Sequence, residues 1–259
     1  MVSISEFSRR KNSLFIFLTG IVLTNAVIAE IVGVKIFSVE ALMGLKPMNI
    51  QLLGGATFDI NLAAGVLNWP IVFITSDIIN EYFGRPGVKK ITYMTAGFIA
   101  YSFLTLFLAT KLPAAPFWVE VNKGANNFDI NYAFNNIFSQ GLGIIIGSVV
   151  AFVVGQMLDV TIFQKLKKVT GNRFMWIRAT GSTLFSQLID SILVVFIAFY
   201  VFGKWNLTQV LNVALVGYIY KSSMAVILTP VLYLVHYAID KYLGKDNARQ
   251  LSNEALMAA

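Results

Sequence analysis

An all-α polytopic membrane protein, a bundle of six transmembrane helices, is the fold this sequence predicts, and three observations predict it. Hydrophobic residues make up 57% of the 259-residue chain and charged residues only 13%, with a mean hydropathy of +0.71. Soluble domains carry about 25% charged residues. Six segments reach the roughly 20 apolar residues that a helix needs to cross a bilayer core of about 30 Å. Lysine and arginine are also distributed unevenly between the segments that join them.

The first span, about 13–36, follows a basic start. Its apolar run is too long for a signal-peptide core and shows no obvious cleavage site, so it reads as a retained span. Segment 39–60 is partly apolar and contains glycine; it could form an interfacial helix, a hairpin or a partly re-entrant loop. The second span, about 61–83, is polar in its last third, and Pro70 within it could kink the helix and free a carbonyl. The stretch FGRPGVKK separates it from the third span, about 90–110. The fourth, about 139–163, carries Gly141, Gly143, Gly147 and Gly155. Its Gly143–Gly147 pair permits close helix contact, either within the bundle or in a homo-oligomer. The fifth and sixth spans cover about 178–202 and 211–238, and the chain from Lys241 onward reads as a short, polar, frayed end. The whole reads as a single membrane domain.

With both termini cytoplasmic, the inner segments carry fourteen basic residues: Arg9, Arg10, Lys11, Arg85, Lys89, Lys90, Lys165, Lys167, Lys168, Arg173, Arg178, Lys241, Lys245 and Arg249. The outer segments carry five, Lys35, Lys46, Lys111, Lys123 and Lys204, and Lys221 falls inside a span. That bias has the sign of the positive-inside rule.

Composition also excludes several functions. The chain has no cysteine, hence no disulfide, iron–sulfur cluster or thiolate chemistry, and its sole histidine, His236, cannot build a histidine-rich metal site. A net charge of +7 comes without a basic stripe interleaved with aromatics, so no nucleic-acid partner is expected. No GxxxxGK loop occurs, so ATP-driven action would need a partner chain. No metal or cofactor is expected, and with no nucleophile–base–histidine set the chain does not read as an enzyme.

What remains is a set of polar residues inside the spans, where each needs a partner, water or a ligand. In FITSDIINEYFGR, Asp77 and Glu81 share a helical face bordered by Asn80. Glu81 stands four residues before Arg85 and could simply pair with it at the interface, whereas Asp77 is deeper. In the fifth span Ser182, Ser186 and Asp190 follow one face, and Thr183, Gln187 and Asp190 an overlapping one. Asp190 lies about 18 Å along the helix from Arg178, near the bilayer centre, where it could contact a substrate or pair with Lys221. Asn25 is central in the first span and Glu30 lies in its outer half. Gln156 and Asp159 complete the inventory, with an interfacial salt bridge to Lys165 expected for Asp159. Trp69, Phe73, Tyr82, Phe185, Tyr218 and Tyr220 could stack on a planar ligand, although packing is the ordinary role of such rings. Passage or capture of a small polar molecule suits this pattern; it does not separate a channel from a carrier.

The stretch PIVFITSDIINEYFGRPGVKK resembles the signature of the bacterial queuosine precursor transporters, six-span proteins placed among the vitamin uptake transporters. TNAVIAE, SVVAFVVGQMLDVTIFQKLKK, RATGSTLFSQLIDSILVVFIAF and YKSSMAVILTPVLYLV extend the resemblance over nearly the whole chain in the same order. One departure is Glu30, where a lysine is expected in many members. The resemblance implies import of 7-deazaguanine bases through the bacterial cytoplasmic membrane for queuosine salvage in tRNA. The alternative is a substrate-capture subunit similar to those of energy-coupling-factor importers, which borrow an ATPase; the leading reading requires none. Such a planar base offers ring N–H and amino donors to a carboxylate and a carbonyl to Asn, Gln, Ser or Lys. Precursors with an amine on the side arm are cationic and give a second carboxylate a use. The residues expected to serve are Asp77, Asn80, Gln187 and Asp190, with Asn25, Ser186 and Lys221 nearby and Glu81 second.

Overall fold

The computed structural model describes residues 4–51, 57–123, 128–139, 142–171 and 174–257; Gly141, Arg173 and residues 52–56 lie outside them. Helix α1 (Ile4–Val32) starts well before its apolar run and stops short of residue 36. The chain then forms β1 (Ile36–Ser38), the one-turn α2 (Val39–Leu42) and the strands β2 (Ile50–Gln51), β3 (Thr57–Phe58) and β4 (Asn61–Ala63). β1 pairs antiparallel with β4, Phe37 opposite Leu62, and β2 pairs antiparallel with β3. In segment 39–60 the described residues thus show one helical turn and hairpin-like strand pairing, and residues 52–56 between β2 and β3 lie outside them. Ser38 caps α2 by accepting the Ala41 N–H at 3.1 Å. The buried Glu40 carboxylate accepts the Ile60 N–H at 2.6 Å and the Ser38 hydroxyl at 2.8 Å. That backbone N–H holds the Glu40 carboxyl below its usual range.

β4 and a 3₁₀ turn (Ala64–Leu67) occupy residues assigned from sequence to the second span. Helix α3 (Trp69–Lys111) begins with Asn68 at its N-cap and Pro70 in its first turn. Pro70 therefore starts a helix and kinks none, because its missing N–H is one that a first turn leaves unpaired anyway. The break lies at Gly84, with φ 60° and ψ −164°, a conformation that suits glycine almost alone.

α4 (Pro116–Val121) and α5 (Ile130–Phe138) lead to α6 (Leu142–Thr170), which extends past the expected end of the fourth span. α7 (Met175–Val195) runs into a π-helical turn (Phe196–Val201). α8 (Leu207–Ile227) opens on a capping box made by Asn206 and Gln209. The sixth span is not one helix, because α9 (Thr229–Leu243) follows a break at Leu228. Pro230 brings no N–H to the ladder and its ring crowds the preceding turn.

The tail is not frayed either. It forms α10 (Lys245–Met257), which packs on α3 and buries Ala248, Leu251, Ser252 and Ala255. Those residues make a narrow stripe at helical spacing on an otherwise polar helix, too weak to read as a packed element from sequence. Its seat is the break in α3: a Cβ on Gly84 would stand 2.6 Å from the Ala255 carbonyl oxygen.

Among the described residues, five helical stretches are long and apolar enough to cross a membrane: Ser5–Val32, Trp69–Lys111, Ile130–Thr170, Met175–Val201 and Leu207–Ile227. The chain is thus a multi-span helical membrane protein. Its polarity is arranged to match: Phe17, Tyr101, Phe107, Ile219 and Leu234 are exposed on the helices' outer faces, while Asn80, Lys167, Ser182 and Ser186 are buried within. Gly143 and Gly147 meet Phe202 and Val194 at the other end of the α6–α7 pair, so this small-residue motif packs inside the bundle.

Candidate functional site

α3 and α6 run side by side in the same direction and are joined by polar rungs. Ser76 donates to Gln156 Oε1 at 2.8 Å. Gln164 Nε2 donates to Asn80 Oδ1 at 2.7 Å. Lys167 Nζ donates to the Glu81 carbonyl at 2.7 Å and lies 3.3 Å from the Glu81 carboxylate. Between the first and second rungs stand Asp77 and Asp159, close enough for their charges to interact.

The third rung belongs to a buried ion cluster. Glu81 also takes the Arg178 guanidinium, Nη2 at 2.9 Å and Nε at 3.0 Å, and the Ser252 hydroxyl of α10 at 2.7 Å. Lys167 donates in addition to the Ser252 carbonyl at 3.0 Å. Glu81, Lys167 and Arg178 are 2%, 0% and 2% exposed, so this is no interfacial pair. The expected Glu81–Arg85 pairing is not formed; Arg85 is exposed because the break at Gly84 takes it off the face it would share with Glu81.

α7 faces both acids of the middle level. Ser186 donates to Asp159 Oδ1 at 3.2 Å and Thr183 to the same oxygen at 3.5 Å. Asp159 is 6% exposed and makes no interfacial bridge to Lys165. α6 continues to Thr170, which puts Asp159 well inside the helix, and a spacing of six residues points Lys165 to a different face. A cavity of about 20 Å³ lies against Asp77, with Phe73, Thr180, Thr183, Thr229 and Leu232 in its wall. That is room for one water-sized group. A larger pocket of about 230 Å³ opens at the α10 end, past the ion cluster, between Tyr82, Arg178, His236, Asp240, Lys245 and Arg249. In its wall the Tyr82 hydroxyl donates to Asp240 at 2.6 Å and also meets His236 Nδ1.

Towards the opposite end, Lys221 of α8 pairs with Asp190 of α7 at 2.5 Å. Glu30 bonds Ser148 and lies within electrostatic reach of both. Gly155 lets α6 approach this pair, since a Cβ there would sit 3.3 Å from that of Asp190. Asn25 accepts from Asn68 Nδ2 at 3.0 Å, tying α1 to the start of α3.

The eight residues singled out from sequence therefore fall on different levels. Asp77, Ser186 and the buried Gln187 are at the centre, Asp190 and Lys221 form one ion pair, Glu81 lies in another, Asn80 is a rung, and Asn25 is a tie between helices. Two buried polar atoms among them, Asn80 Nδ2 and Gln187 Oε1, have no hydrogen-bond partner among the described residues. Gln164, Lys167 and Ser252 were not anticipated. Lys167 sits in a run of lysines that reads as a surface, and nothing in the sequence marks it as the buried one. Of the candidate rings, Trp69 stacks on Phe73 at 6.0 Å beside the Asp77 cavity, whereas Phe185 is 53% exposed.

The structure is a helical membrane bundle with lipid-compatible outer faces and buried acids at its centre, and among the described residues no group of three or more His, Asp or Glu could hold a metal ion. The profile of the family described as "Putative vitamin uptake transporter" matches residues 63–235, more than half of the chain, and the chain belongs to that family, one of transporters and not of enzymes. It is 25% identical over 177 residues to the "Probable queuosine precursor transporter" of Bacillus subtilis strain 168, covering 68% of this chain and 72% of the relative. It is 27% identical over 184 residues to the "Queuosine precursor transporter" of Escherichia coli K12, covering 68% and 71% respectively. The "Probable queuosine precursor transporter" of Haemophilus influenzae is 27% identical over 157 residues, 59% of each chain. No solved structure matches.

Proposed function

We propose that this chain imports queuosine precursors, 7-deazaguanine bases, across the bacterial cytoplasmic membrane as a carrier that needs no ATPase partner. Three relatives bearing that name support the substrate class. The observation that carries the reading in this chain is the middle level of the bundle. There, acceptors suited to a base's N–H edge (Asp77, Asp159 and Gln187 Oε1) and a free donor for its carbonyl (Asn80 Nδ2) lie buried in a transporter-family fold. Asp190 and Lys221 act next to this site as an ion pair that a passing substrate would have to open, while Glu81 is structural.

The bundle has six spans in this reading. α3 would reach on the order of 60 Å if straight, twice a bilayer core, so its halves on either side of Gly84 count separately. An even number of spans puts both termini in the cytoplasm, in keeping with the bias of basic residues, and the whole chain acts as one membrane domain. The test is uptake of a labelled 7-deazaguanine by liposomes containing this chain alone, with guanine as competitor. Uptake that appears only when an ATPase module is added would overturn the carrier reading. A reporter fused after Ala259 that reads extracytoplasmic would overturn the topology.

A further inference from the structure

The pocket of about 230 Å³ at the α10 end has no part in the transport reading. It offers far more room than the roughly 10–15 Å³ that one water needs. Four helices meet around it. α3 contributes Glu81 and Tyr82, α7 contributes Arg178, and α9 contributes His236 and Asp240, one turn apart. α10 contributes Lys245, Ala248, Arg249 and Ser252, whose spacing puts them on one helical face. The pocket therefore straddles the turn at Gly244, with φ 86°, where α9 ends and α10 begins.

Charge in this wall is unevenly satisfied. Glu81 is held by Lys167 and Arg178. Asp240 accepts the Tyr82 hydroxyl at 2.6 Å, with His236 Nε2 3.7 Å away. Both acids are thus engaged. Lys245 and Arg249 are exposed, and among the described residues neither side chain has an ion pair or a hydrogen bond. The other basic residue that meets α10 from outside, Lys11, pairs with Glu254 at 3.7 Å. Counting Lys167 behind Glu81, four cations stand against two acids around the pocket. A concave site with that balance draws in an anion.

The layout suits a phosphate group. Lys245 and Arg249 are four residues apart, about 6 Å along the helix. A halide would meet one of them and leave most of the pocket empty. A phosphate presents three strong acceptor oxygens, and guanidinium and ammonium groups are its regular partners. It can place two oxygens on Lys245 and Arg249 and turn a third toward His236 on the α9 wall. The outer face of α9 is apolar, with Leu234 and Tyr237 68% and 65% exposed, whereas α10 is mostly polar. The pocket thus lies where the lipid-facing surface ends, within reach of a phospholipid headgroup and of a free phosphate ester alike. We propose that it binds a phosphate group from one of these two sources, and that the bound group ties α10 to α9 across Gly244. This goes beyond the transport reading and is independent of which substrate is carried.

Equilibrium binding to the full chain, purified in an uncharged detergent, tests it with inorganic phosphate and a short-chain phosphatidylglycerol as probes. Chloride and acetate at the same ionic strength are the controls for phosphate, and a diacylglycerol with the same chains is the control for the lipid. At least one probe is expected to bind the wild type. Replacing both cations, Lys245→Gln with Arg249→Gln, should weaken that binding at least about tenfold, equivalent to about 1.4 kcal/mol. Without probe the double variant should melt with the wild type, because both side chains are exposed. In the wild type the bound probe should also slow protease cleavage within α10, which ionic strength alone does not. Binding of phosphate and lipid alike assigns the phosphate group itself, and binding of the lipid alone assigns the headgroup. Binding of neither probe overturns the site. So does an equal response to acetate, chloride or the diacylglycerol, and so does an unchanged affinity in the double variant. A double variant that fails to fold leaves the wild-type comparison of probes with controls to decide. Absence of base uptake by the wild type would count against the transport reading and not against this site.

Discussion

Replacing Glu81 with Gln would remove one charge from a cluster whose two cations, Lys167 and Arg178, are 0% and 2% exposed. The amide keeps the shape, but it presents two N–H donors where Arg178, Lys167 and the Ser252 hydroxyl already donate. At least one close contact of 2.7–3.3 Å becomes donor against donor. Removing one partner of a buried pair costs about 3–5 kcal/mol, because the remaining charge is left uncompensated. For a chain of this size, each kcal/mol shifts the unfolding midpoint by about 2–4 °C, so a fall on the order of 10 °C is expected. Thermal unfolding of the detergent-purified protein measures it. Adding Lys167→Met to Glu81→Gln should restore part of the loss, because it removes an orphaned cation, and a double-mutant cycle isolates the coupling. A Glu81→Gln protein that melts within a degree of the wild type would refute the reasoning, as would an additive cycle.

Gly84→Ala combines a positive φ with a Cβ 2.6 Å from the Ala255 carbonyl, so it should displace α10 and expose the segment after Lys245 to protease; an unchanged digestion pattern would contradict the docking. Asp190→Asn removes the carboxylate paired with Lys221, so liposome uptake should fall at least about tenfold while the melting temperature changes less than for Glu81→Gln; normal transport would show that the pair is not on the substrate path. Ser252→Ala removes a hydrogen bond to a charged acceptor and should cost about 1.5–3 kcal/mol, read as a lower melting temperature with substrate affinity intact. Glu40 has a depressed carboxyl pKa, so its bond to Ile60 is fully present above the ordinary carboxylate value and is lost only as pH falls through the lower, folded one. The Ile60 amide resonance should therefore move over that acidic window and stay still in Glu40→Gln.

Where the sequence was legible, the reason was the membrane itself. A lipid solvent forces long apolar runs, and it makes each interior acid conspicuous, so Asp77, Asp190 and the Lys221 pairing alternative could be picked out by depth alone. The paired strands between α1 and α3 were one of three open forms, because strands of two or three residues carry no hydropathy signal. The break in FGRPGVKK was legible and falls at Gly84, whereas Pro70 was read as a kink because a proline in a helix's first turn looks the same in sequence as one inside it. Asp159 was put at the interface because a lysine six residues on looked like a helix end. The buried Lys167 and Ser252 could not be seen, since their roles depend on which helices become neighbours.

The rungs between α3 and α6 also say where the bundle is stiff. Sliding or tilting these two helices apart would have to break the Ser76–Gln156, Asn80–Gln164 and Glu81–Lys167 contacts together, in surroundings with no water to replace them. The joint between α8 and α9 has already given up part of its helical ladder at Leu228 and Pro230, and it borders the cavity at Asp77. Mechanically the molecule is a braced pair of beams beside a jointed one. Force applied at its centre deforms the joint first, so the cheapest way to widen the space around Asp77 is to swing α9 and leave the braced pair in place.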